Sequence, residues 1–284
     1  MMTFMPTNRG FEDLKTQQFS HPQILNSSNA ETPSSNECIG DINTNFQPDE
    51  ELVYKVYYNL NFVWIPAGEV TFKLSDEGEQ YHLEAVGRTY DSYNWFYKAH
   101  DDYNTYVDKN TLLPKFSTRE IKENRYKLYD KVAYDQVNKT AYYERGPEKD
   151  NINKTGNLTF DACMYDVLSV VYYARTQNYT DAEIGKEFPV KVNLDQETYS
   201  LKYTLSGRED KNIRGLGKWS TLKLSPQLVA GNVFTENSKM KIWASNDENK
   251  IPLMIESPVS VGSVKVVLKS WKNLKFPTTA KKEN

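Results

Sequence analysis

From Glu51 onward the chain alternates polar and apolar side chains with a period of two. In "ELVYKVYYNLNFVWIPAGEVTFKL", Val53, Lys55 and Tyr57 stand against Tyr54, Val56 and Tyr58. That spacing gives a strand two unlike faces. Pro66-Ala67-Gly68 breaks the run as a bulge or corner does. "SDEGEQ" reads as a turn, and "YHLEAVGRTY" as the returning strand of a hairpin. "VDKNTLLP" predicts a strand end, a turn at Asp108 to Asn110 and a new strand after Pro114. "RYKLYDKVAYDQVNKTAYYERG" predicts another hairpin, turning at "DQVNKT".

The period changes once. In "FDACMYDVLSVVYYARTQNY", Met164, Val167, Leu168, Val171 and Tyr172 fall at i, i+3, i+4, i+7 and i+8. This predicts a helix over 161–177, with Asp161 as its N-cap, Cys163 in its first turn and Arg175 near its other end. Beyond it, "EFPVKVNLDQETYSLKYTLSGRED" reads as two strands around "LDQE". "WSTLKLSP", "KMKIWAS", "IPLMIESP" and "GSVKVVLKSWKNL" complete a second β set. Short connections imply antiparallel pairing, since parallel pairs need long crossovers. The expected fold is all-β and mainly antiparallel, an open barrel or sandwich of two curled sheets with one central α-helix. Residues 46–277 form a single domain of two antiparallel halves flanking the helix. Residues 1–45, rich in Asn, Ser and Thr, form a disordered tail, and 278–284 a C-terminal one.

Composition narrows the class. Of 284 residues 38% are hydrophobic and 26% charged, enough apolar surface to fold. The 20 Tyr suit half-buried strand positions, where the ring packs and the hydroxyl reaches water. Net charge is −3, and no basic block precedes the terminal "KKEN". A nucleic-acid partner is not expected. No run of about 18 apolar residues exists, so no transmembrane helix is expected. The first residues, "MMTFMPTNRGFEDLK", lack the basic start and apolar core of a signal peptide.

Candidate chemistry is sparse. Asp247 and Glu248 lie between two strand-like runs in "KIWASNDENKIPLMIES", with Glu256 further on. "NDENK" has the composition of a hairpin turn, where Asp and Asn bond nearby amides, rather than of an acid–base site. In "KAHDDY", His100 adjoins Asp101 and Asp102. On a strand only His100 and Asp102 would share a face, and no metal ligand set forms around them. No G-x-S-x-G elbow is present, and "GLGK" is too short for a phosphate loop. No catalytic residue, metal or cofactor is expected. The aromatic group Tyr90, Tyr93, Trp95, Phe96 and Tyr97, with His100, is the candidate ligand lining; core packing is the competing explanation. Cys38 and Cys163 have no zinc spacing. They are either two unrelated buried thiols or one disulfide.

An ordered series of segments resembles one family. "ELVYKVYYNLNFVWIPAGEV", "YVDKNTLLPKF", "CMYDVLSVVYYAR", "GLGKWSTLKLSP" and "GNVFTENSKMKIWASNDENKIPLMIESPVSVGSVKVVL" are similar to the domain-of-unknown-function 3108 family, especially its exported Bacteroidetes branch. The resemblance implies a barrel-like antiparallel protein of the periplasm or cell envelope, with no reaction to carry over. An oxidising compartment also favours the Cys38–Cys163 disulfide. The expected function is a non-catalytic envelope protein that binds an apolar or glycan-like ligand, or a partner, in a concave β face. Lipid, glycan or an envelope protein are the expected partners, and the oligomeric state is open. The alternatives are a hydrolase acting on an envelope polymer and a structural assembly factor. A dry aromatic-lined cavity would favour binding. Two facing buried carboxylates, or His100 bonded to an acid inside a cleft, would favour catalysis.

Overall fold

A computed structural model describes residues 44–60, 63–228, 239–259 and 262–283. The two-residue alternation becomes burial. In β1 (Glu51–Leu60), Leu52, Tyr54, Val56 and Tyr58 are buried and the residues between them half-buried. In β4 (Ala99–Asp108) the same alternation buries Ala99, Asp101, Tyr103, Thr105 and Val107. The remaining strands are β2 (Val63–Glu77), β3 (Gln80–Thr89), β5 (Pro114–Glu123), β6 (Tyr126–Asp135), β7 (Thr140–Gly146), β8 (Lys154–Thr159), β9 (Glu187–Leu194), β10 (Glu197–Ile213), β11 (Gly217–Pro226), β12 (Lys241–Ser245), β13 (Pro252–Pro258) and β14 (Ser263–Lys272).

They form one sheet in the order β8-β7-β6-β5-β4-β3-β2-β1-β14-β13-β12-β11-β10-β9. Every strand pairing is antiparallel. The two halves meet where β1 pairs β14, from Glu51 opposite Lys272 to Asn59 opposite Ser263. Of the two expected forms this is the open barrel, one curled sheet whose edges, β8 and β9, do not pair with each other. The Pro66–Gly68 break is a bulge, because Val56 lies opposite Gly68 and Tyr57 opposite Pro66. Gly68 is needed there: a Cβ would lie 2.2 Å from the Arg88 carbonyl oxygen.

The unpaired edges are joined by other means. Tyr165 makes an isolated parallel bridge to Val192 of β9. Lys191 pairs with Asp161. The Tyr134 hydroxyl donates to Asn193 Oδ1 at 3.2 Å. The α-helix, α1 (Ser169–Thr176), is shorter than the expected 161–177. Two contacts displace its start. The Tyr165 N–H and C=O are committed to Lys191 and Asn193 of β9. Asp166 then acts as the cap: its Oδ1 accepts the Ser169 N–H at 2.8 Å, while Ser169 Oγ accepts the Asp166 N–H at 2.9 Å. Asp161 is bound to Lys191 instead of capping a helix.

Tyr172 and Leu168 pack with Leu74, Leu83, Tyr103, Leu112 and Phe46, so α1 fills the concave side of the sheet. The other half encloses Trp219, which is fully buried and edge-on to Trp271. "NDENK" is the β12–β13 turn: Asp247 Oδ1 accepts from Ser245 Oγ at 2.7 Å and from the Asn249 N–H at 3.1 Å. The expected tail at 1–45 lies almost wholly outside the described residues, although Asn45 is buried. The last residues lie along β11, with the Ser220 N–H donating to the Ala280 carbonyl and the Lys282 N–H to that of Lys218. Cys163 is half-buried against Leu113 and Tyr165, and its expected partner Cys38 lies outside the described residues. No helix among the described residues is long and apolar enough to cross a membrane.

Candidate functional site

Alternate connections of an antiparallel sheet fall at opposite ends. The β1–β2, β3–β4, β5–β6 and β13–β14 turns therefore share one end, here called the rim. The aromatic run lies there, on the turn over residues 90–98 joining β3 to β4. Its residues do not line one groove. Tyr93 and Tyr97 point inward and are buried with Val56, Tyr58 and Ala99. Tyr90 is half-buried and donates its hydroxyl to Glu69 Oε1 at 2.7 Å. Trp95 points outward with 84% of its surface exposed, and Phe96 is 38% exposed. Val63 and Trp64, at the start of β2, are also exposed, as is Tyr126 at the start of β6. Of the eight large apolar side chains exposed among the described residues, these five share the rim; Val137, Tyr142 and Ile184 do not.

His100 lies outside the concave face. It stands between Arg88 and Lys122 in the register of β3, β4 and β5. Partial burial, then the two cations, hold its imidazole below the ordinary histidine range. Lys122 faces Lys127 on β6, so Arg88, His100, Lys122 and Lys127 form one cross-strand row. Lys122 meets Glu120 at 3.4 Å, and Lys127 meets Glu148.

Just inside that row, on the buried face, are two carboxyls that sequence reasoning did not assign. Asp101 is 0% exposed and Glu123 is 4% exposed. Ala99 lies opposite Glu123 and Asp101 opposite Ile121, so the two acids are diagonal neighbours on one face. The Tyr97 hydroxyl donates to Glu123 Oε2 at 2.6 Å. Neither oxygen of Asp101, nor Oε1 of Glu123, has a hydrogen-bond partner among fixed groups. The two carboxyls instead act on each other across this diagonal. Burial pushes Asp101 up to about 7. Burial, then the neighbouring Asp101, pushes Glu123 up to about 8.

Deeper on the concave face lies a polar junction. Arg119 Nη2 reaches Asp130 at 2.8 Å and Asp195 at 2.6 Å, and Arg145 Nη1 reaches Asp195 at 3.1 Å. Gln196 Nε2 donates to both oxygens of Asp130 at 2.9 and 3.0 Å. Asp195 and Gln196 are the two-residue β9–β10 turn, with φ of 54° and 60°. That turn folds across β5, β6 and β7. The fully buried Asp166, its carboxyl raised by burial, accepts from Thr105 Oγ1 and Ser169 N beside it. The cavity left there is about 30 Å³, bordered by Tyr103, Arg119, Tyr134 and Asp195 among others. That is room for a water molecule and not for a glycan or lipid chain. A more open depression of about 540 Å³, lined by Leu216, Gly217, Thr278 and Lys281, lies at the opposite end. No group of three or more metal-ligating side chains occurs among the described residues.

Comparison with known proteins supplies a family. A model described as "Protein of unknown function (DUF3108)" matches residues 53–269, from the first strand to the last. The chain belongs to the DUF3108 family. No curated protein matches it. Among solved structures, this DUF3108 chain is similar to a beta-barrel-like protein of domain of unknown function DUF1849 from Brucella abortus. The TM-score is 0.55 at 9% identity, over 80% of this chain and 99% of that one. At that identity the likeness concerns the fold alone, an unclosed barrel. Weaker likenesses are to a protein from Bacteroides fragilis described as exported with a YmcC-like fold, and to one from Parabacteroides distasonis described as a lipoprotein. The first has a TM-score of 0.30 at 10% identity, over 82% of this chain and 100% of that one. The second has a TM-score of 0.29 at 12% identity, over 82% and 100%.

Proposed function

We propose that this DUF3108 protein is a non-catalytic protein of the cell envelope, and that it binds an apolar ligand or surface through its aromatic rim. The observation that carries this reading is Trp95: a tryptophan 84% exposed at a turn tip, with Phe96, Trp64 and Val63 exposed on the same end. Exposed aromatics gathered in one patch mark interaction sites, whereas scattered ones need no explanation. The rim replaces the concave face as the binding surface in this reading, because that face is filled by α1 and the β9–β10 turn. The envelope setting rests on the similarity of the quoted segments to the exported branch of the family. In that setting Cys163 pairs with Cys38. Native mass spectrometry of protein purified from its source tests the reading. A co-purifying apolar or glycolipid molecule, lost from Trp95→Ala, is the expected result. An identical spectrum for the two proteins would count against it.

A second reading has a specific observation behind it. The Asp101–Glu123 pair is the facing, buried set of carboxylates expected of a hydrolase, and carboxyls that hold their protons up to about pH 7 and 8 suit a general acid at neutral pH. Binding is kept first because a general acid must reach its substrate, and this pair is sealed under Tyr97. Turnover of an envelope polymer that vanishes in both Asp101→Asn and Glu123→Gln would reverse the order.

A further inference from the structure

The rim combines two features that the binding reading leaves unconnected. Its tips are apolar: Val63, Trp64, Trp95, Phe96 and Tyr126 are exposed there. Immediately behind the tips, on the outer face, the last complete cross-strand row is basic. Arg88, His100, Lys122 and Lys127 stand side by side on β3, β4, β5 and β6. At about 4.8 Å per strand the row spans roughly 14 Å. Lys98 and Arg125 lie in the two turns that border it. Arg88, Lys98, Lys122, Arg125 and Lys127 are all exposed. The acids around the row are Glu69, opposite Arg88 and paired with Lys269, Asp102, two residues from His100, Asp91 in the turn, Glu120 against Lys122 and Glu148 against Lys127. A further cation sits against the apolar tips, where Lys265 Nζ lies 4.4 Å above the Trp64 ring.

We propose that the rim docks on an anionic phospholipid surface, with the aromatic tips at the headgroup boundary and the Arg88–Lys127 row against the phosphates. The inference rests on the aromatic-rim reading and names its occupant. Tryptophan and phenylalanine at turn tips suit the interfacial zone, where an amphipathic ring has one apolar side and one wet side. Lysine and arginine within a Debye length of an anionic leaflet add electrostatic attraction. The cavity beside Arg119 and Asp195 on the concave face, at about 30 Å³, is too small to enclose a lipid chain.

Co-sedimentation of the full chain tests this, with vesicles of phosphatidylcholine alone or with phosphatidylglycerol added. Three proteins are compared: the native chain, the triple variant Arg88→Ser, Lys122→Ser, Lys127→Ser, and Trp95→Ala. All four positions are exposed, so each variant is expected to keep the native circular dichroism spectrum. The native chain should bind the phosphatidylglycerol vesicles and release them as salt rises. At roughly fivefold per neutralised base, the triple variant should bind roughly a hundredfold more weakly. Trp95→Ala should weaken binding as well. Equal binding to both vesicle types, or an unchanged triple variant, overturns the anionic-lipid inference and leaves the aromatic-rim reading standing. Absence of vesicle binding, together with a co-purifying molecule that Trp95→Ala loses, does the same. Absence of both overturns the inference and the reading beneath it.

Discussion

Arg175 and Glu50 form a bidentate pair inside the protein, Nη1 to Oε1 at 2.6 Å and Nη2 to Oε2 at 2.8 Å. Neither side chain is more than 4% exposed. Arg175 belongs to the last turn of α1, Glu50 directly precedes β1, and Arg175 Nε also donates to the Asn249 carbonyl in the β12–β13 turn. The Phe46 and Tyr172 rings flank the guanidinium, with centroids 5.4 and 5.5 Å away. One cation thus ties the helix to both halves of the sheet.

Removing one partner should be far worse than removing both. Arg175→Met leaves Glu50 buried without its partner and should cost about 3–5 kcal/mol. Arg175→Met with Glu50→Leu should recover a large share of that. Urea denaturation of the three proteins checks it, and a double variant no better than the single one would refute it.

The acid pair should make stability fall as pH rises. Both carboxyls are raised in the folded protein, to about 7 and about 8, above the ordinary range near 4. The folded state therefore holds protons that the unfolded chain has lost. Their stabilisation is complete below about pH 4 and is lost between there and about pH 8, at up to about 1.4 kcal/mol per pH unit for each proton. Asp101→Asn should flatten the slope. Chemical denaturation at pH 6 and pH 9 compares the two proteins; parallel curves would contradict the upward shift of the pair.

Asp195 should act with the opposite sign. Despite burial, Arg119 and then Arg145 hold its carboxyl below the usual range. Its stabilisation is therefore present above about pH 4 and lost as pH falls below that. Asp195→Asn should cost about 1 kcal/mol at neutral pH and nothing in acid, since the Asp195 side chain is half exposed. Added salt should narrow the neutral-pH difference.

Two neighbouring aromatics should answer differently to truncation. Trp95→Ala should change stability by no more than about 0.5 kcal/mol, as for other exposed positions. Tyr97→Phe removes the hydroxyl that reaches Glu123 in a buried site and should cost about 1–3 kcal/mol. Thermal unfolding of both variants settles the contrast. Intact mass under non-reducing conditions, with a thiol alkylator, separately checks the proposed Cys38–Cys163 bond: two alkylated thiols would refute it.

The strands were legible because each has unlike faces, and the turns because Asp, Asn and Gly collect in them. "LDQE" and "NDENK" are both hairpin turns. The helix start was not legible. Asp166 and Ser169 cap each other only because Tyr165 is held by β9, a contact far along the chain. Asp101 carried a usable signal: it falls in the phase of Ala99, Tyr103 and Val107, the buried face of β4. His100 and Asp102, whose residue types suggest chemistry, share the opposite phase. That Glu123 meets Asp101 depends on strand register, and that Arg119 meets Asp195 depends on the curl of the sheet across 76 residues. Neither leaves a local pattern. The aromatic run misled for a related reason: on a turn, five consecutive-looking rings divide between core and solvent.

The β1–β14 seam bears on how the chain is made. Of the described strands, β1 is the first to leave the ribosome and β14 the last, with Glu51 and Lys272 paired across 221 residues. Until β14 arrives, β1 has β2 on one side and an open backbone edge on the other, a template for unwanted pairing. Contacts this distant in sequence also slow the search for the native state. The fold therefore places its most aggregation-prone interval in biosynthesis, between the first and last strands, where a chaperone that shields one apolar edge would have its greatest effect.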